Sequence, residues 1–417
     1  MASLLRMSII GLLLITPTWS LSHAQLLERI QRLEQKLIDQ ESLKVEIAEL
    51  KDQVEELQFM VEEPSDDEDV KSFSGGLTFG GYVDMEYIHR NDSGKSTPGD
   101  FDQHRFIFDV SAELGSKMKF VSEIEFEHAA SEIAMEQAYL DYNFENSFGF
   151  RTGSILVPIG RFNFLHDAPL RELTERPKVN RIIVPTTWFD IGAGFFGEGG
   201  SEKYPVSWEL YVMNGFQDDG DKLKSGTGLR GLRKKGRSDS EQTHNKALTG
   251  RAGFSLNEET QIGLSFYQAD VGAYIPGVAA TNTPPLLQGK RDLSMWGIDW
   301  ERQLNDRLEW LGEYISGDVD ANIATAALGY DFSGWYSQLN YILDQDEKYR
   351  VIYRWGRTDT AKGMTNSGDI TESVLGLSYR PNSNAVFRLE YHWEDELNTA
   401  GASLDNNGIV LGAATFF

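Results

Sequence analysis

The chain has 417 residues, with 39 Lys and Arg against 64 Asp and Glu, a formal net charge of −25. That balance excludes a phosphate-backbone binder, which needs a basic footprint, and the absence of cysteine excludes disulfides, thiolate metal sites, cysteine nucleophiles and a lipidated cysteine. Hydrophobic residues are 40% and aromatic residues 12%, which suits a membrane barrel because only every second residue of a strand faces lipid. Beyond the N-terminus no apolar run is long enough for a membrane helix. A soluble all-β protein is the competing reading at this level.

Residues 1–24 carry one early charge, Arg6, then an apolar run over 7–15, then Pro17 and the small-x-small triplet Ser22-His23-Ala24. This is the pattern of a secretory signal peptide, with Gln25 as the expected first residue after cleavage. Residues 25–63 read as a coiled coil. Leu26, Ile30, Leu33 and Leu37 keep one heptad frame, and Leu43, Ile47, Leu50, Val54, Leu57 and Val61 keep another, offset by three residues at Gln40. Ile or Val at a with Leu at d favours two strands. As a helix the segment would reach roughly 54 Å into the periplasm at the usual rise per residue. Residues 64–74 begin with Pro64, which ends the helix, and continue as an acidic linker.

Residues 75–417 alternate apolar and polar side chains with the period of strands. Leu77, Phe79, Val83, Met85 and Tyr87 share one parity, against Tyr82, Asp84 and Glu86 on the other. Phe106, Phe108 and Val110 alternate with Arg105, Asp109 and Ser111, and Phe120, Ile124 and Phe126 alternate with Lys119, Glu123, Glu125 and Glu127. Leu140 and Tyr142 flank the inward Asp141. So regular a polar side implies lipid outside and lumen inside. Short connections (LGSK, ENS, GGSEKY, LNEET, LNDR, LDQDE, RPNSN) alternate with long ones. Reading 317–333 as one of the long loops gives sixteen antiparallel strands, an even count with both ends periplasmic. The chain closes on Phe416-Phe417, which resembles the terminal strand recognised during outer-membrane assembly. Trp296, Trp300, Trp310, Tyr349, Trp355, Tyr379, Tyr391 and Trp393 share outward parity and predict an interfacial girdle.

Within residues 150–197 the alternation stops for about thirty residues, a length at which loops are usually functional. Val157-Pro158 and Val184-Pro185 bracket the interruption, each proline restricting the residue before it. The expectation is a loop folded into the lumen. Its candidate constriction residues are Arg161, His166, Arg171, Arg176, Lys178 and Arg181, set against Asp167, Glu172 and Glu175.

GGYVDMEY in the first strand, EQAYLDYNF in the fourth, RTGSILVPIG leading into the inward loop, LTERPKVN within it, WYSQLNYIL and the terminal phenylalanine appear in an order that resembles the phosphate-selective porins O and P. The resemblance covers most of the mature chain. It implies a sixteen-stranded trimeric channel in the outer membrane of a Gram-negative-type bacterium, with its third loop folded inward and small anions diffusing through it.

A channel selects by the charge at its constriction. The loop is locally basic, and by parity Arg105, Arg151, Arg350, Arg354, Arg380 and Arg388 face the lumen, but so do Asp84, Glu86, Asp109, Glu113, Glu123, Glu125, Glu127 and Asp141. Cross-strand salt bridges or a transverse field would each explain this mixture. A constriction is therefore a firmer expectation than a phosphate filter. The densest basic run, LRGLRKKGR at residues 229–237, lies in the next long loop. Neither His128 nor His392 sits in a hydrolase signature, and no glycine loop or metal-ligand spacing marks an enzyme, a metal or a cofactor. The sequence predicts a general porin, mildly anion-favouring, with outer-membrane lipid as its surroundings. The alternative is a structural protein whose coiled coil tethers the membrane to the cell wall.

Overall fold

The computed structural model describes residues 76–92, 95–96, 99–145, 147–216, 229, 246–272, 290–320, 329–362, 368–397 and 402–417. The signal peptide, the coiled coil, the acidic linker and most of the basic run at 229–237 lie outside the described residues. Among the described residues, sixteen long strands form the wall. These are β1 (Leu77–Asp92), β2 (Asp100–Leu114), β3 (Met118–Glu127), β4 (Glu132–Glu145), β5 (Phe148–Leu156), β6 (Phe189–Ser201), β7 (Tyr204–Met213) and β8 (Ala247–Asn257). They continue with β9 (Thr260–Gly272), β10 (Lys290–Asn305), β11 (Leu308–Val319), β12 (Tyr330–Ile342), β13 (Tyr349–Asp359), β14 (Asp369–Tyr379), β15 (Ala385–Leu397) and β16 (Gly408–Phe416). Each pairs antiparallel with its neighbours in sequence, and β1 pairs with β16 from Tyr82↔Phe416 to Arg90↔Gly408. The sheet is closed, so no edge strand is left unpaired.

The expected count of sixteen holds, with one boundary moved. Residues 317–319 and 330–333, read from sequence as loop, are paired strand, with Gly317 opposite Phe332 and Val319 opposite Tyr330. Their inward residues Val319, Tyr330 and Phe332 are apolar and buried, so the polar half of the alternation that marks the other strands is missing there.

Outward parity is as expected. Phe79, Trp296 and Trp393 are exposed on the barrel exterior, and the girdle residues pack in pairs, Tyr349 on Tyr379 at 4.8 Å and Tyr391 on Trp393 at 4.6 Å between ring centroids. The last residue is fastened across the seam. The Phe417 amide donates to the Gly81 carbonyl at 3.1 Å, and its ring stacks on Phe106 at 5.6 Å.

One register shift redirects a side chain. Glu123 pairs with Gln137 and Ile124 with Met135, so Glu136 is the extra residue of a bulge in β4. Ile133 and Met135 point outward, and the bulge turns Glu136 inward beside Gln137 without reversing the rest of the strand. Glu136 is buried.

Residues 157–188 fold inside the barrel. They contain a short 3-10 turn (Ala168–Leu170) and one helical turn, α1 (Lys178–Ile182). Asn163 clips the neck of the loop: its amide donates to the carbonyls of Val157 and Trp188 at 2.9 and 2.8 Å, and its oxygen accepts from the Trp188 amide at 2.9 Å. The lumen is not uniformly polar, contrary to the simple alternation. At the long-loop ends of β7 to β12 the inner wall is apolar, and Val157, Val179, Ile183, Val184 and Trp188 pack against it in one core. Trp188 stacks on Phe216 and meets Tyr267, both at 4.7 Å. Gly334 on β12 leaves room for Val179, whose Cγ2 lies 2.8 Å from where a Cβ would stand.

Replacing Asn163 by Ala strands the Trp188 amide, since both carbonyls keep other donors, Ile159 N to Val157 O and Val157 N to Trp188 O. The expected loss is about 2 kcal/mol, checked by the urea midpoint of the detergent-folded protein. New protease cleavage within 158–187 is expected to accompany it.

Candidate pore constriction

Every buried amide and carbonyl of an inward loop must find a partner away from bulk water. The barrel wall supplies them from charged side chains. Glu313 on β11 accepts from the Phe162 amide and, at 2.7 Å, from the Asn180 side chain. Glu372 on β14 accepts from the Lys178 amide at 2.7 Å, at the start of α1, where helical N–H groups have no partner of their own. Glu390 on β15 accepts from the Thr174 amide. The arginines serve the carbonyls. Arg354 donates to Glu175 O at 2.8 Å, Arg380 to Pro169 O at 2.9 Å and Arg171 O at 3.2 Å, and Arg388 to Arg171 O at 3.2 Å and to Ala168 O.

The six basic residues expected at the constriction do not gather as bare charges round one opening. Arg161 is paired with Glu301 on β10. His166 faces Glu123, Glu136 and Asp167. Arg171 donates to the Thr174 carbonyl and lies 3.7 Å from Asp84. Lys178 is 2.6 Å from Glu394, and Arg181 is 2.9 Å from Glu175. Arg176 donates to neutral oxygens, the Thr186 carbonyl and the Thr187 hydroxyl, the latter at 3.4 Å. Arg181 keeps 35% of its side chain exposed.

The wall residues singled out from parity face inward and are largely paired. Arg105 is 2.7 Å from Glu125 and 3.4 Å from Glu127. Arg151 binds Asp141 through two bonds of 2.7 and 2.9 Å, with its guanidinium 4.1 Å from the Tyr139 ring centre. Arg350 meets Glu172, Arg354 is 3.4 Å from Glu372, and Asp84 lies 3.6 Å from His104. His392 is buried 3.0 Å from Glu390. Sequence reasoning missed Glu136 because of the bulge. It also missed Glu301, Glu313, Glu372, Glu390 and Glu394, although Glu390 and Glu394 alternate with the outward Tyr391 and Trp393 and parity marks them.

Two loop carboxylates carry the ionic part of the anchorage. Burial opposes the charge on Glu172, but Arg380 and Arg350 outweigh it and hold the carboxyl below its ordinary value of 4.5. Burial likewise opposes Glu175, and Arg181, Arg90 and Lys178 hold it well below 4.5. Burial pushes Lys178 down from 10.5 despite Glu394. Below the loop, toward the short turns, a cavity of about 270 Å³ is lined by Arg161, Arg251, Asp299 and Glu301, with Arg251 bound to Asp299 at 2.7 and 3.2 Å.

A model of the phosphate-selective porin O and P family matches residues 77–271. The chain belongs to that family. This porin is 33% identical over 349 residues to an uncharacterized protein of Aquifex aeolicus (strain VF5), a match covering 77% of the chain and 76% of the relative. Its fold is shared by solved structures at low identity. A loop-deletion form of OmpT from Vibrio cholerae matches at TM-score 0.56 and 13% identity, over 82% of this chain and 100% of that one. The anion-selective porin of Comamonas acidovorans matches at 0.56 and 11%, over 82% and 100%. The outer membrane channel DcaP of Acinetobacter baumannii matches at 0.53 and 12%, over 83% and 99%. Family and fold make the porin an outer-membrane channel.

Because the folded values of Glu172 and Glu175 lie below 4.5, their contribution is complete above 4.5 and is lost as pH falls through the lower folded values. The share of the anchorage that rests on these two carboxylates is therefore expected to persist from about pH 7 to about pH 5 and to fail only once the medium is more acid than ordinary carboxylates require. Single-channel conductance of Glu172→Gln is then expected to differ from that of the unaltered protein at neutral pH and to converge with it in strong acid. A pH series of bilayer recordings measures this.

Proposed function

We propose that this porin is a passive diffusion channel for small hydrophilic solutes, with a mild preference for anions and phosphate among the solutes admitted, and that it works as a homotrimer. The observation that carries the anion preference is Arg176. Its guanidinium donates to the neutral oxygens of Thr186 and Thr187, so no bonded carboxylate cancels its charge, although burial, Arg105 and Arg171 oppose that charge. The part-exposed Arg181 on the same loop is paired with Glu175. The wall arginines, by contrast, are occupied by carboxylates and loop carbonyls. Such a site gives a weak field rather than a dedicated anion cradle. The fold is shared with a porin described as anion-selective, and with OmpT of Vibrio cholerae, described in a trimer form, at TM-score 0.55.

Reversal potentials in a potassium chloride gradient across planar bilayers test the preference. A modest chloride preference is expected, reduced or reversed in the double variant Arg176→Gln, Arg181→Gln. A cation preference in the unaltered protein would sink the anion reading, and absence of conductance would sink the channel.

The heptads of residues 26–61 support a second role, a periplasmic tether that contacts the cell wall. Deleting residues 25–63 is expected to leave conductance intact and to loosen the envelope, seen as increased blebbing and detergent sensitivity. An unchanged envelope would count against the tether.

A further inference from the structure

We propose that His166, Glu136, Glu123 and Asp167 form a divalent-cation site that fastens the inward loop to β3 and β4. This goes beyond the channel reading and does not depend on it. The imidazole is oriented by its other nitrogen: Nδ1 lies 2.9 Å from the Asn163 carbonyl, an oxygen that only accepts, so Nδ1 carries the hydrogen. In the neutral ring Nε2 then presents a lone pair. It points at carboxylates. Glu136 Oε2 is 3.4 Å away, Asp167 Oδ1 3.5 Å and Glu123 Oε1 4.0 Å.

A lone pair facing three anions has no stabilising partner unless something positive stands between them. His166 Nε2, Glu136 Oε2 and Glu123 Oε1 are buried atoms without a hydrogen-bond partner, and His166 and Glu136 are each 1% exposed. The spacing approaches what an ion needs. Ligand atoms at about 2.0–2.2 Å around a four-coordinate metal stand roughly 3.3–3.6 Å from one another, whereas single ligand atoms of His166, Glu123 and Asp167 lie within 4.8 Å of one another. The site must therefore tighten on binding, with Glu136, 3.4 Å from Nε2, as the added donor. Of the neighbouring cations, Arg105 is paired with Glu125 and Glu127 and Arg176 spends its donors on Thr186 and Thr187. Glu123 is steadied through its other oxygen by the Gln137 amide.

One imidazole with three carboxylates is a donor set for a first-row dication, the borderline Zn²⁺ or the harder Mn²⁺. Calcium takes six to eight oxygens, more than these four groups supply as single donors. The ligands come from a strand, a bulge and a loop, which is why no motif spacing announces them. A second cluster, Asp84, Glu86 and His104, is less suited. His104 Nδ1 already bonds Glu86 at 2.8 Å, and Arg171 and Arg388 lie 3.7 and 4.0 Å from Asp84.

The test uses the whole chain without a histidine tag, folded in detergent and stripped with chelator. The chain has no cysteine to compete for zinc. Titration with Zn²⁺ or Mn²⁺ is expected to give one ion per chain, read by calorimetry and elemental mass spectrometry. Affinity should fall at least about tenfold in His166→Gln and in Asp167→Asn, and should be unchanged in His104→Gln. Should the His166 variant fail to fold, the Mn²⁺ spin-echo spectrum of the unaltered protein decides, because a single imidazole ligand gives nitrogen modulation. No stoichiometric ion, equal binding in Asp167→Asn, or Mn²⁺ without nitrogen coupling would overturn the proposal and leave an imidazolium held by carboxylates.

Discussion

The backbone of residues 157–188 lies inside the barrel, and its amides and carbonyls must be bonded there. A strand meets this requirement through its neighbours, but an irregular loop has none. The wall therefore has to bring acceptors and donors to it at fixed heights. Glu313, Glu372 and Glu390 take amides, and Arg354, Arg380 and Arg388 give to carbonyls. The bonds given by arginine each have one ionised partner, and charge-assisted bonds are worth about 1.5–3 kcal/mol where neutral ones give about 1. Charged residues on the inner wall are, first of all, the frame that positions the loop.

That role changes what the lumen charges can do for selectivity. A carboxylate that accepts a loop amide and also faces an arginine, as Glu372 does with Lys178 N and Arg354, projects little net field into water. Burying such pairs costs desolvation that their attraction only offsets when the geometry is good, so they are poor transient binding sites for a passing ion. The loop cation without a bonded carboxylate is Arg176, which is part-buried and donates to neutral oxygens; Arg181 is more exposed but is paired with Glu175. The excess of wall carboxylates over arginines therefore does not by itself set the sign of the field at the loop.

Much of the barrel was legible in the sequence because a period of two is exact along a strand, and one buried face fixes it. Asp84, Arg105, Glu125, Asp141 and Arg354 could be assigned inward from their neighbours alone. Two physical effects hid the rest. A bulge adds a residue without a compositional mark, so Glu136 escaped. Where the loop packs on the wall, Val319, Tyr330 and Phe332 face inward as apolar residues, and alternation disappears. The candidate site was legible only as a list of charges. Which carboxylate each cation meets depends on the path of the loop across the lumen, from β11 at Phe162 to β4 at His166 and β15 at Thr174, and no local pattern encodes that path.

The loop is held by two kinds of force on different sides. Val179, Ile183 and Trp188 bury apolar surface against the long-loop ends of β7 to β12, an attraction of roughly 1.5–3 kcal/mol for each large side chain that salt and pH barely weaken. The opposite side, from His166 through Glu175, is held by ions and charge-assisted bonds to β1, β3, β4 and β13 to β15. Acid or competing salt acts on the second set, and on the Arg161–Glu301 pair and the Glu313 bonds beside the apolar seat, but leaves the apolar contacts. A perturbation of charge should therefore loosen the ionic side of the loop before it releases the apolar seat.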